Sequence, residues 1–516
     1  MKRIISLILA VLMLCLCACG KAADETTAAP AVTEGQSKPQ AENTQNTAYD
    51  GNAIVLESEN YKINVAMLQY FFAKVYQEYL TPYGELAAQI VDPAKPLREQ
   101  KCPLDQTGKG TWFDFFAQNA LTMVNEYVLL AEEAKANGFS LTEKDLSDIE
   151  AELESLKTMA AEAGYSDFQA YLQDYYGTFT TLDTLRECFI LSLIAQTYRA
   201  EKHDTLTYTD EDYLAYAEKN PQKCYKAQFL YMRLAPVQEE GKSAEELKAE
   251  WEDIKKTAVE FNNAVTDIES FKEQAKKFML TRLTVVPTEE ETKNNPNFVT
   301  QQQLDQYVEG VFATQEYATG TGNKGIDWLF EKGRLAGERT IITDEENMQC
   351  ELFYMVRPYH LSDKPTVNVR HILINSTTEG DAFKAKTKAE ELYNSWKDGK
   401  ANEESFAVMA MEHTQDNESR VSGGLISALT QDKYSKEFTD WCFDPLRKAG
   451  DCEVIEASYG YHIMFFVEHG MPEWKEVAHT ELITADMAKY TEELAKKHAV
   501  TVTGENLAKC PDPMGR

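Results

Sequence analysis

Two apolar segments, each carrying one histidine, constrain the fold of this chain more than any other feature. The segment "NVRHILINS" (368–376) alternates as a strand does and places His371 on a face otherwise formed by valine and leucine. The segment "SYGYHIMFFVEHG" places His462 on a face with methionine and phenylalanine. An imidazole on such a face must find a buried hydrogen-bond partner or destabilise the fold by about 1 kcal/mol or more. The pattern therefore predicts two strands of one module whose histidines need partners.

The composition favours a chain of several folded domains. Its 516 residues exceed what one compact core accommodates, which predicts roughly two to four domains. Hydrophobic residues make up 43% and aromatic residues 11%, which excludes general disorder. The formal net charge of −32 argues against a nucleic-acid partner, because such a chain repels a phosphate backbone.

The N-terminus reads as an export signal that ends in a lipid attachment site. Lys2 and Arg3 precede an apolar run from Ile4 to Cys17, which is too short to span a bilayer and has the form of a signal-peptide core. The run leads into "LCAC", which ends at Cys19 and resembles the bacterial lipobox. The resemblance implies cleavage before Cys19, a diacylglycerol on its sulfur, and an extracytoplasmic protein anchored by lipid to the bacterial cell membrane. An ordinary signal peptide with incidental cysteines is the alternative.

The segment after Cys19 predicts a disordered tether that extends to residue 49. Residues 22–46 contain no large apolar residue except Val32. The cysteines from Cys102 onwards are odd in number, widely spaced and without a CxxC pair. That pattern favours buried free thiols over zinc or redox sites.

Residues 50–220 predict a helical domain. Apolar residues between Trp112 and Ala134 recur at steps of four and three, which forms one stripe over several turns. Thr142 and Asp145 have the capping-box spacing of a helix start. Periodicity alone does not distinguish this domain from any other helical domain.

The chain then carries two segments that look like copies of one fold. Aligning "KAQFLYM" with "RHILI" places Gln228 opposite His371, and aligning "CELFYMV" with "YHIMFFV" places Glu351 opposite His462. The first copy would then lack both histidines, and it holds a long insertion between residues 278 and 326. Two unrelated α+β segments are the alternative.

Other motifs carry little weight. Gly320, Gly322 and Gly325 spell GxGxxG, but no apolar strand precedes them and no glycine-initiated helix follows, so a loop is expected. The sequence has no HExxH, Walker A or GxSxG motif, and its eight histidines are scattered. We therefore expect neither a metal nor a cofactor.

Residues 366–470 contain, in this order, the motifs "VRHILI", "SFAVMAMEHTQD", "SGGL", "YSKEF" and "GYHIMFFV". In their order and spacing these motifs resemble a parvulin-type peptidyl-prolyl isomerase. Together with the lipobox and the helical region, the chain resembles PrsA-type extracytoplasmic foldase lipoproteins and, more distantly, SurA-type periplasmic chaperones. Those families fold part of the C-terminal tail onto the N-terminal helical domain, which the segment 473–499 could do here.

The resemblance implies a role for six residues. His371 and His462 would meet beneath the proline site, and Asp416 would lie beside the substrate amide. The apolar wall that holds the proline ring would comprise Leu425, Tyr434 and Phe438. One departure concerns this wall, because the family usually has "GDLGWF" where this chain reads "GGLISAL".

The predicted fold class is α+β and multidomain, with an N-terminal helical chaperone-like domain and two parvulin-like α/β modules, the first of them degenerate. The predicted boundaries are a signal peptide 1–18, a lipidated cysteine and tether 19–49, a helical domain 50–220, a degenerate module 221–365, an isomerase domain 366–470 and a helical tail 471–516.

The predicted function is a membrane-anchored foldase that isomerises X-Pro bonds of unfolded or newly exported proteins and also acts as a chaperone. A holdase chaperone with weak or no isomerase activity is the alternative. A solute-binding lipoprotein is a third class, but it would need a two-lobed body of βαβ repeats that this sequence does not indicate.

Overall fold

The computed structural model describes residues 49–237, 241–293, 295–431 and 433–512. The predicted signal peptide, Cys19 and nearly all of the tether lie outside the described residues. The described residues form two compact units. One contains residues 49–207, Val367–His469 and residues 483–512, and the other contains the described residues of Tyr208–Thr366 and Gly470–Leu482. None of the described helices combines the length and apolar character needed to cross a bilayer.

The N-terminal part of the first unit is mainly helical. Its elements are β1 (Ile54–Glu57), β2 (Lys62–Asn64), α1 (Val65–Leu80), α2 (Ala87–Ile90), α3 (Trp112–Ala136), α4 (Glu143–Glu162), α5 (Phe168–Tyr176) and α6 (Leu182–Asp204), with 3-10 turns at Thr81–Leu86 and Leu97–Glu99.

Sequence periodicity explains these helices. The apolar stripe lies on α3 and packs into one core with α1 and α6. The capping box of Thr142 and Asp145 starts α4 as expected. The prediction of helix from residue 50 is wrong at its start, because residues 54–64 form two short antiparallel strands.

The second unit contains the first sheet module, residues 225–361. The elements of this unit are α7 (Asp210–Lys219), α8 (Pro221–Cys224), β3 (Tyr225–Leu234), α9 (Ala244–Ala264), α10 (Ile268–Met279), β4 (Thr284–Val285), α11 (Glu289–Thr292), β5 (Phe298–Val299), α12 (Gln301–Glu309), β6 (Phe312–Glu316), α13 (Lys324–Leu329), β7 (Arg339–Asp344) and β8 (Gln349–Leu361). Its four-stranded antiparallel sheet has the order β6-β3-β8-β7.

The first unit contains the second sheet module, residues 367–469. Its elements are β9 (Val367–Asn375), α14 (Ala382–Asp398), α15 (Glu403–His413), α16 (Asn417–Arg420), β10 (Leu425–Leu429), α17 (Lys436–Cys442), β11 (Cys452–Ala457) and β12 (Gly460–His469). The sheet has the order β10-β9-β12-β11 and is antiparallel throughout. Each strand of this sheet therefore has a counterpart at the same place in the sheet of the first module, in the same order along the chain. This is expected if one fold is present twice.

The tail comprises α18 (Glu473–Lys497), β13 (Thr501–Val502) and a 3-10 turn, Gly504–Lys509. The part of α18 up to Leu482 belongs to the second unit, and the residues from Ile483 onwards complete the helical part of the first unit. Strand β13 pairs with β1, and Leu494 and Cys510 are buried in the same core as α1 and α3. The Lys497 ammonium lies 2.6 Å from the Glu133 carboxylate of α3.

The strand register corrects one alignment between the two modules. Met464 pairs with His371, and the corresponding pair in the first module is Phe353 with Tyr231. Glu351 does correspond to His462, but the residue at the position of His371 is Tyr231 and not Gln228. The alignment was shifted by three residues.

Candidate active site

The two histidines meet because β9 and β12 are neighbours at the centre of the second sheet. His371 pairs in register with Met464, and His462 with Leu373, so the two imidazoles are diagonal neighbours on one face. Their Nδ1 atoms lie 3.1 Å apart, and the rings are nearly parallel with centroids 5.3 Å apart. Each histidine is therefore the buried partner that the sequence required of the other.

Asp416 joins the pair from the loop before α16. Its Oδ2 atom lies 2.9 Å from Nε2 of His371. The same carboxylate caps α16 by accepting from the backbone N–H groups of Glu418 and Ser419. Burial alone would raise the pKa of this carboxyl, but hydrogen bonds from His371 and Ser419 outweigh burial and hold the pKa well below its usual range.

The pKa of His462 moves in a direction that keeps the ring neutral. Burial, reinforced by the neighbouring His371, lowers this pKa to about 3, although Asp416 opposes the shift. An ionised Asp416 can only accept, so Nε2 of His371 carries a hydrogen. While His371 is neutral its Nδ1 atom must accept, and Nδ1–H of His462 is then the donor. The loop carboxylate thereby fixes the tautomers of both rings.

Ser419 belongs to this network and was missed by the sequence reasoning. Its hydroxyl donates to Oδ2 of Asp416 and lies 3.1 Å from Nε2 of His371. The residue is buried. Its position three residues after Asp416, the spacing of a side-chain helix cap, was the available signal.

Two stacked aromatic rings form one wall of the site. Phe438 on α17 is 1% exposed, and its ring lies edge-on to His371 and His462, with centroid distances of 5.6 and 5.2 Å. Tyr434 stacks on Phe438 at 4.6 Å and is 40% exposed. Phe438 is thus the buried part of this apolar wall and Tyr434 its exposed edge.

The third residue of the predicted wall is displaced by one position. Leu425 pairs with Arg370, whose side chain points away from the histidine face, whereas Ile426 pairs with Val369 on that face. Ile426 also packs in the cluster that contains Phe438. The structure therefore brings Ile426, rather than Leu425, to the side of the sheet that carries His371.

The two glycines before β10 allow this edge to approach the histidine strand. Gly424 has φ +73°, and a Cβ atom there would lie 2.2 Å from the carbonyl oxygen of His371. The N–H of His371 donates to the carbonyl of Gly424 at 2.9 Å. The buried side chain of Arg370 donates hydrogen bonds to the carbonyls of Ser422 and Gly423 and so stabilises the turn before β10.

The first sheet module lacks this site. The hydroxyl of Tyr231 donates to the Glu351 carboxylate at 2.7 Å, where the second module has its histidine pair. Burial, followed by that hydrogen bond, raises the pKa of Tyr231 above its usual value.

The helix that forms the aromatic wall also has a counterpart. The segments "DWLFEKGRLAGE" and "DWCFDPLRKAGD" begin in the last turn of α13 and of α17, at Asp327 and Asp440. In both, an arginine lies over the tryptophan ring and donates to the tryptophan carbonyl: Arg334 on Trp328 and Arg447 on Trp441. These contacts establish the alignment of the two helices residue by residue.

That alignment puts Gly325 at the position of Phe438. A Cβ atom at Gly325 would lie 2.3 Å from the ring of Phe353, which occupies the position of Met464. In the second module the larger residue, Phe438, is on the helix and Met464 is on the strand. In the first module the larger residue, Phe353, is on the strand and Gly325 is on the helix. The ring of Phe353 therefore lies where a side chain at the position of Phe438 would project.

Comparison with known proteins places this site in a family. Residues 353–469 match the PPIC-type PPIASE domain. The foldase protein PrsA 1 from Listeria innocua serovar 6a is 24% identical over 113 residues, which are 22% of this chain and 34% of the relative. This chain thus spans about a third of the length of the curated relative it matches.

Two solved structures are similar at low identity. PrsA from Bacillus subtilis aligns with 80% of this chain and 98% of its own length, at 14% identity and a TM-score of 0.23. The peptidylprolyl isomerase PrsA from Bacillus anthracis aligns with 26% of this chain and 61% of its own length, at 20% identity and a TM-score of 0.18.

The domain match contains the paired histidines, the carboxylate that fixes them and the aromatic pocket, and it confirms the resemblance found in the sequence. The second sheet module, residues 367–469, lies within the matched range and is therefore a parvulin-type peptidyl-prolyl isomerase domain, within a chain similar to the PrsA foldases.

Proposed function

We propose that this protein is a lipid-anchored extracytoplasmic foldase that accelerates cis–trans isomerisation of X-Pro bonds in exported proteins and also holds unfolded chains. The observation that carries the proposal is the pair His371 and His462, fixed by Asp416 beside the pocket of Phe438. Three polar side chains and one apolar pocket converge at this point of the domain.

The reaction needs no covalent step. The barrier of about 18–20 kcal/mol arises because amide resonance is lost as the C–N bond twists. Both isomers of an X-Pro bond are of similar energy, so a catalyst changes only the rate. A twisted prolyl amide is less polar than a planar one, and an apolar pocket that holds the proline ring binds it preferentially.

We assign roles to the polar residues accordingly. A neutral His462 cannot supply a proton at physiological pH, so the histidine pair keeps the geometry and polarity of the floor. The ionised Asp416 stands at the edge of that floor and polarises the rotating peptide. Phe438 and Tyr434 hold the proline ring, with Ile426 in the place first expected for Leu425.

The alternative, a holdase with weak or no isomerase activity, is favoured by one observation. The second module has "LISAL" on β10, the edge strand beside the site, where the family usually has a tryptophan and a phenylalanine. A wall with smaller side chains buries less of the proline ring and so stabilises the twisted amide less.

Two-dimensional NMR exchange spectroscopy on a short Ala-Pro peptide decides between the isomerase and the holdase. The peptide is measured in the presence of the soluble form of the chain that begins after Cys19. We expect exchange cross-peaks between the cis and trans forms at catalytic protein concentrations. A chain that suppresses aggregation of an unfolded client but leaves peptide exchange at its uncatalysed rate would establish the holdase instead.

The anchor is tested separately. Cys19→Ala should abolish lipid labelling in a bacterial host and release the protein from membranes or leave it unprocessed. Cys17→Ala is the matched control and should leave labelling intact. Normal processing and membrane fractionation of the Cys19→Ala variant would contradict the lipobox.

A further inference from the structure

Strand β9 continues past the edge strand that covers it, because β10 pairs with β9 only as far as Arg370. Two side chains of the segment that follows α15 take the place of a paired strand there. The backbone N–H of Leu373 donates to Oγ1 of Thr414 at 3.0 Å, and that of Asn375 donates to Oε1 of Gln415 at 2.7 Å. These side chains therefore satisfy backbone donors that the edge of the sheet would otherwise leave without a protein partner.

The hydroxyl of Thr414 joins this edge to the loop that carries Asp416. Its Oγ1 atom accepts a second hydrogen bond, at 3.2 Å, from the backbone N–H of Asp416. Thr414 is 2% exposed, and a hydroxyl oxygen has two lone pairs, so both of its acceptor sites are engaged. One buried oxygen thus holds the backbone of Asp416 against β9.

The side chain of Asp416 returns to the same strand. Its Oδ2 atom lies 2.9 Å from Nε2 of His371, which is two residues before Leu373 and on the same face of β9. Thr414, Asp416 and these two strand residues therefore form a closed ring of covalent and hydrogen bonds. Because every link of the ring spans two residues at most, a shift of the Thr414 hydroxyl moves the carboxylate relative to the imidazole.

The backbone around Thr414 is held as well. Arg420, at the end of α16, donates to the carbonyl oxygen of Thr414 through Nε and Nη2, at 3.1 and 2.7 Å. The backbone N–H of Gln415 donates to the carbonyl of Leu373 at 2.9 Å. Among these contacts, the two bonds to the Thr414 hydroxyl are the ones that a substitution of the same shape removes.

We infer that Thr414 is a positioning residue of the isomerase site: its hydroxyl, with Arg420 on its carbonyl, sets the place of the Asp416 carboxylate and through it the tautomer of His371. This inference rests on the proposed isomerase function. Thr414 acts through Asp416 and not on the substrate. Because the charge of Asp416 is needed as the peptide twists, its displacement lowers kcat more than it changes KM.

The test is Thr414→Val, which keeps the shape of the side chain and removes the hydroxyl. We expect kcat for a short Ala-Pro peptide to fall about tenfold with KM changed by less than about twofold, since a misplacement of about 1 Å costs up to about a hundredfold in rate. Thr414→Ser keeps the hydroxyl and should retain kcat to within about twofold. Nitrogen-15 NMR should show His371 protonated on Nε2 in the wild type and in Thr414→Ser, and a mixture of tautomers in Thr414→Val.

Thr439→Val is the matched control. Thr439 is a buried threonine of the same domain, and its hydroxyl donates to the carbonyls of Ser435 and Lys436 in the first turn of α17. The variant removes a buried hydroxyl from a helix rather than from the edge of β9. It should lower the stability of the domain but leave kcat and the nitrogen-15 signals of His371 as in the wild type.

Wild-type kcat with an unchanged His371 tautomer in a folded Thr414→Val protein would overturn the inference, as would Thr414→Ser impaired as much as Thr414→Val. If Thr414→Val does not fold, Arg420→Gln decides, because it frees the carbonyl of Thr414 and keeps the buried hydroxyl. We expect Arg420→Gln to lower kcat about threefold, and wild-type kcat there would overturn the inference.

Failure of the proposed function has a different signature, because then the wild type itself leaves peptide exchange at its uncatalysed rate. The His371 tautomer in the wild type, Thr414→Val and Thr414→Ser still tests the positioning role in that case. An identical tautomer in all three proteins would overturn it.

Discussion

Asp416 and His371 are joined by a 2.9 Å hydrogen bond between a loop carboxylate and a strand imidazole. This bond links the edge of the pocket to its floor, since the other nitrogen of His371 faces His462. A change at Asp416 therefore affects the ring of His371 directly and the ring of His462 through His371.

Removing the charge of Asp416 should impair catalysis more than folding. Asp416→Asn keeps the shape and one acceptor but loses the charge-assisted bond and leaves the tautomer of His371 unfixed. We expect kcat/KM to fall at least tenfold. Ser419→Ala is the matched control, because it removes one hydrogen bond to the same carboxylate and should cost about threefold or less. Equal losses in both variants would mean that hydrogen bonding, and not charge, is what Asp416 supplies.

Phe438→Ala should separate isomerase from holdase activity. The substitution removes the buried part of the apolar wall, with an expected loss of a few kcal/mol in binding the twisted amide and hence a tenfold or larger loss in rate. Suppression of aggregation of a proline-poor client should be retained. Phe465→Ala creates a comparable cavity on the opposite face of the sheet and controls for general destabilisation. Collapse of both activities in Phe438→Ala, with the domain folded by circular dichroism, would show that the isomerase domain itself binds clients.

The buried histidine should make the domain sensitive to acid. The pKa of His462 is about 3 in the fold, below the value of about 6.5 expected in the unfolded chain. Between these two pH values, His462 is protonated in the unfolded chain but stays neutral in the folded domain. The free energy of unfolding therefore decreases as the pH falls from about 6.5 towards 3. Asp416 acts in the same direction only at lower pH, since its stabilising charge is lost as the pH falls below about 4.

Denaturant unfolding at pH 7.5, 6 and 4.5 measures this sensitivity. We expect His462→Gln to lose about 1–3 kcal/mol less stability than the wild type between pH 7.5 and 4.5. His413→Gln, which removes an exposed histidine of the same domain, should follow the wild type. Parallel pH profiles of His462→Gln and the wild type would contradict a depressed pKa at this position.

The first sheet module should contribute no turnover. Gly325 with the ring of Phe353 replaces Phe438, and Tyr231 with Glu351 replaces the histidine pair. In the full chain, the double variant His371→Gln/Phe438→Ala should therefore leave peptide exchange at its uncatalysed rate. Residual catalysis that disappears on adding Tyr231→Phe would instead place a second active site in the first module.

Much of the helical part and of the isomerase domain could be predicted from the sequence, because both depend on local patterns. The stripe on α3 and the capping box of Thr142 are readable within a few turns of helix. For the histidines, the local pattern indicated only that each imidazole needs a buried partner, and the resemblance to parvulins implied that His371 and His462 meet.

The errors concern register. Strand β3 has apolar residues on both faces, so its alternation does not say which residue faces the site, and the alignment of "KAQFLYM" with "RHILI" placed Gln228 there. Its true register follows from pairing with β8, more than a hundred residues away. The choice of Leu425 over Ile426 was a slip of one residue, which moves a side chain to the other face of a sheet.

The pairing of β13 with β1 has a consequence for the order in which the chain folds. A chain that is exported from its N-terminus presents β1 first and β13 last, so the three-stranded sheet closes only after both sheet modules have emerged. The helical core, which also needs Leu494 and Cys510, is then the last part of the chain to be completed. The isomerase domain, whose elements are contiguous in sequence, can mature earlier, and could accelerate prolyl isomerisation in the helical part of its own chain before it meets any client.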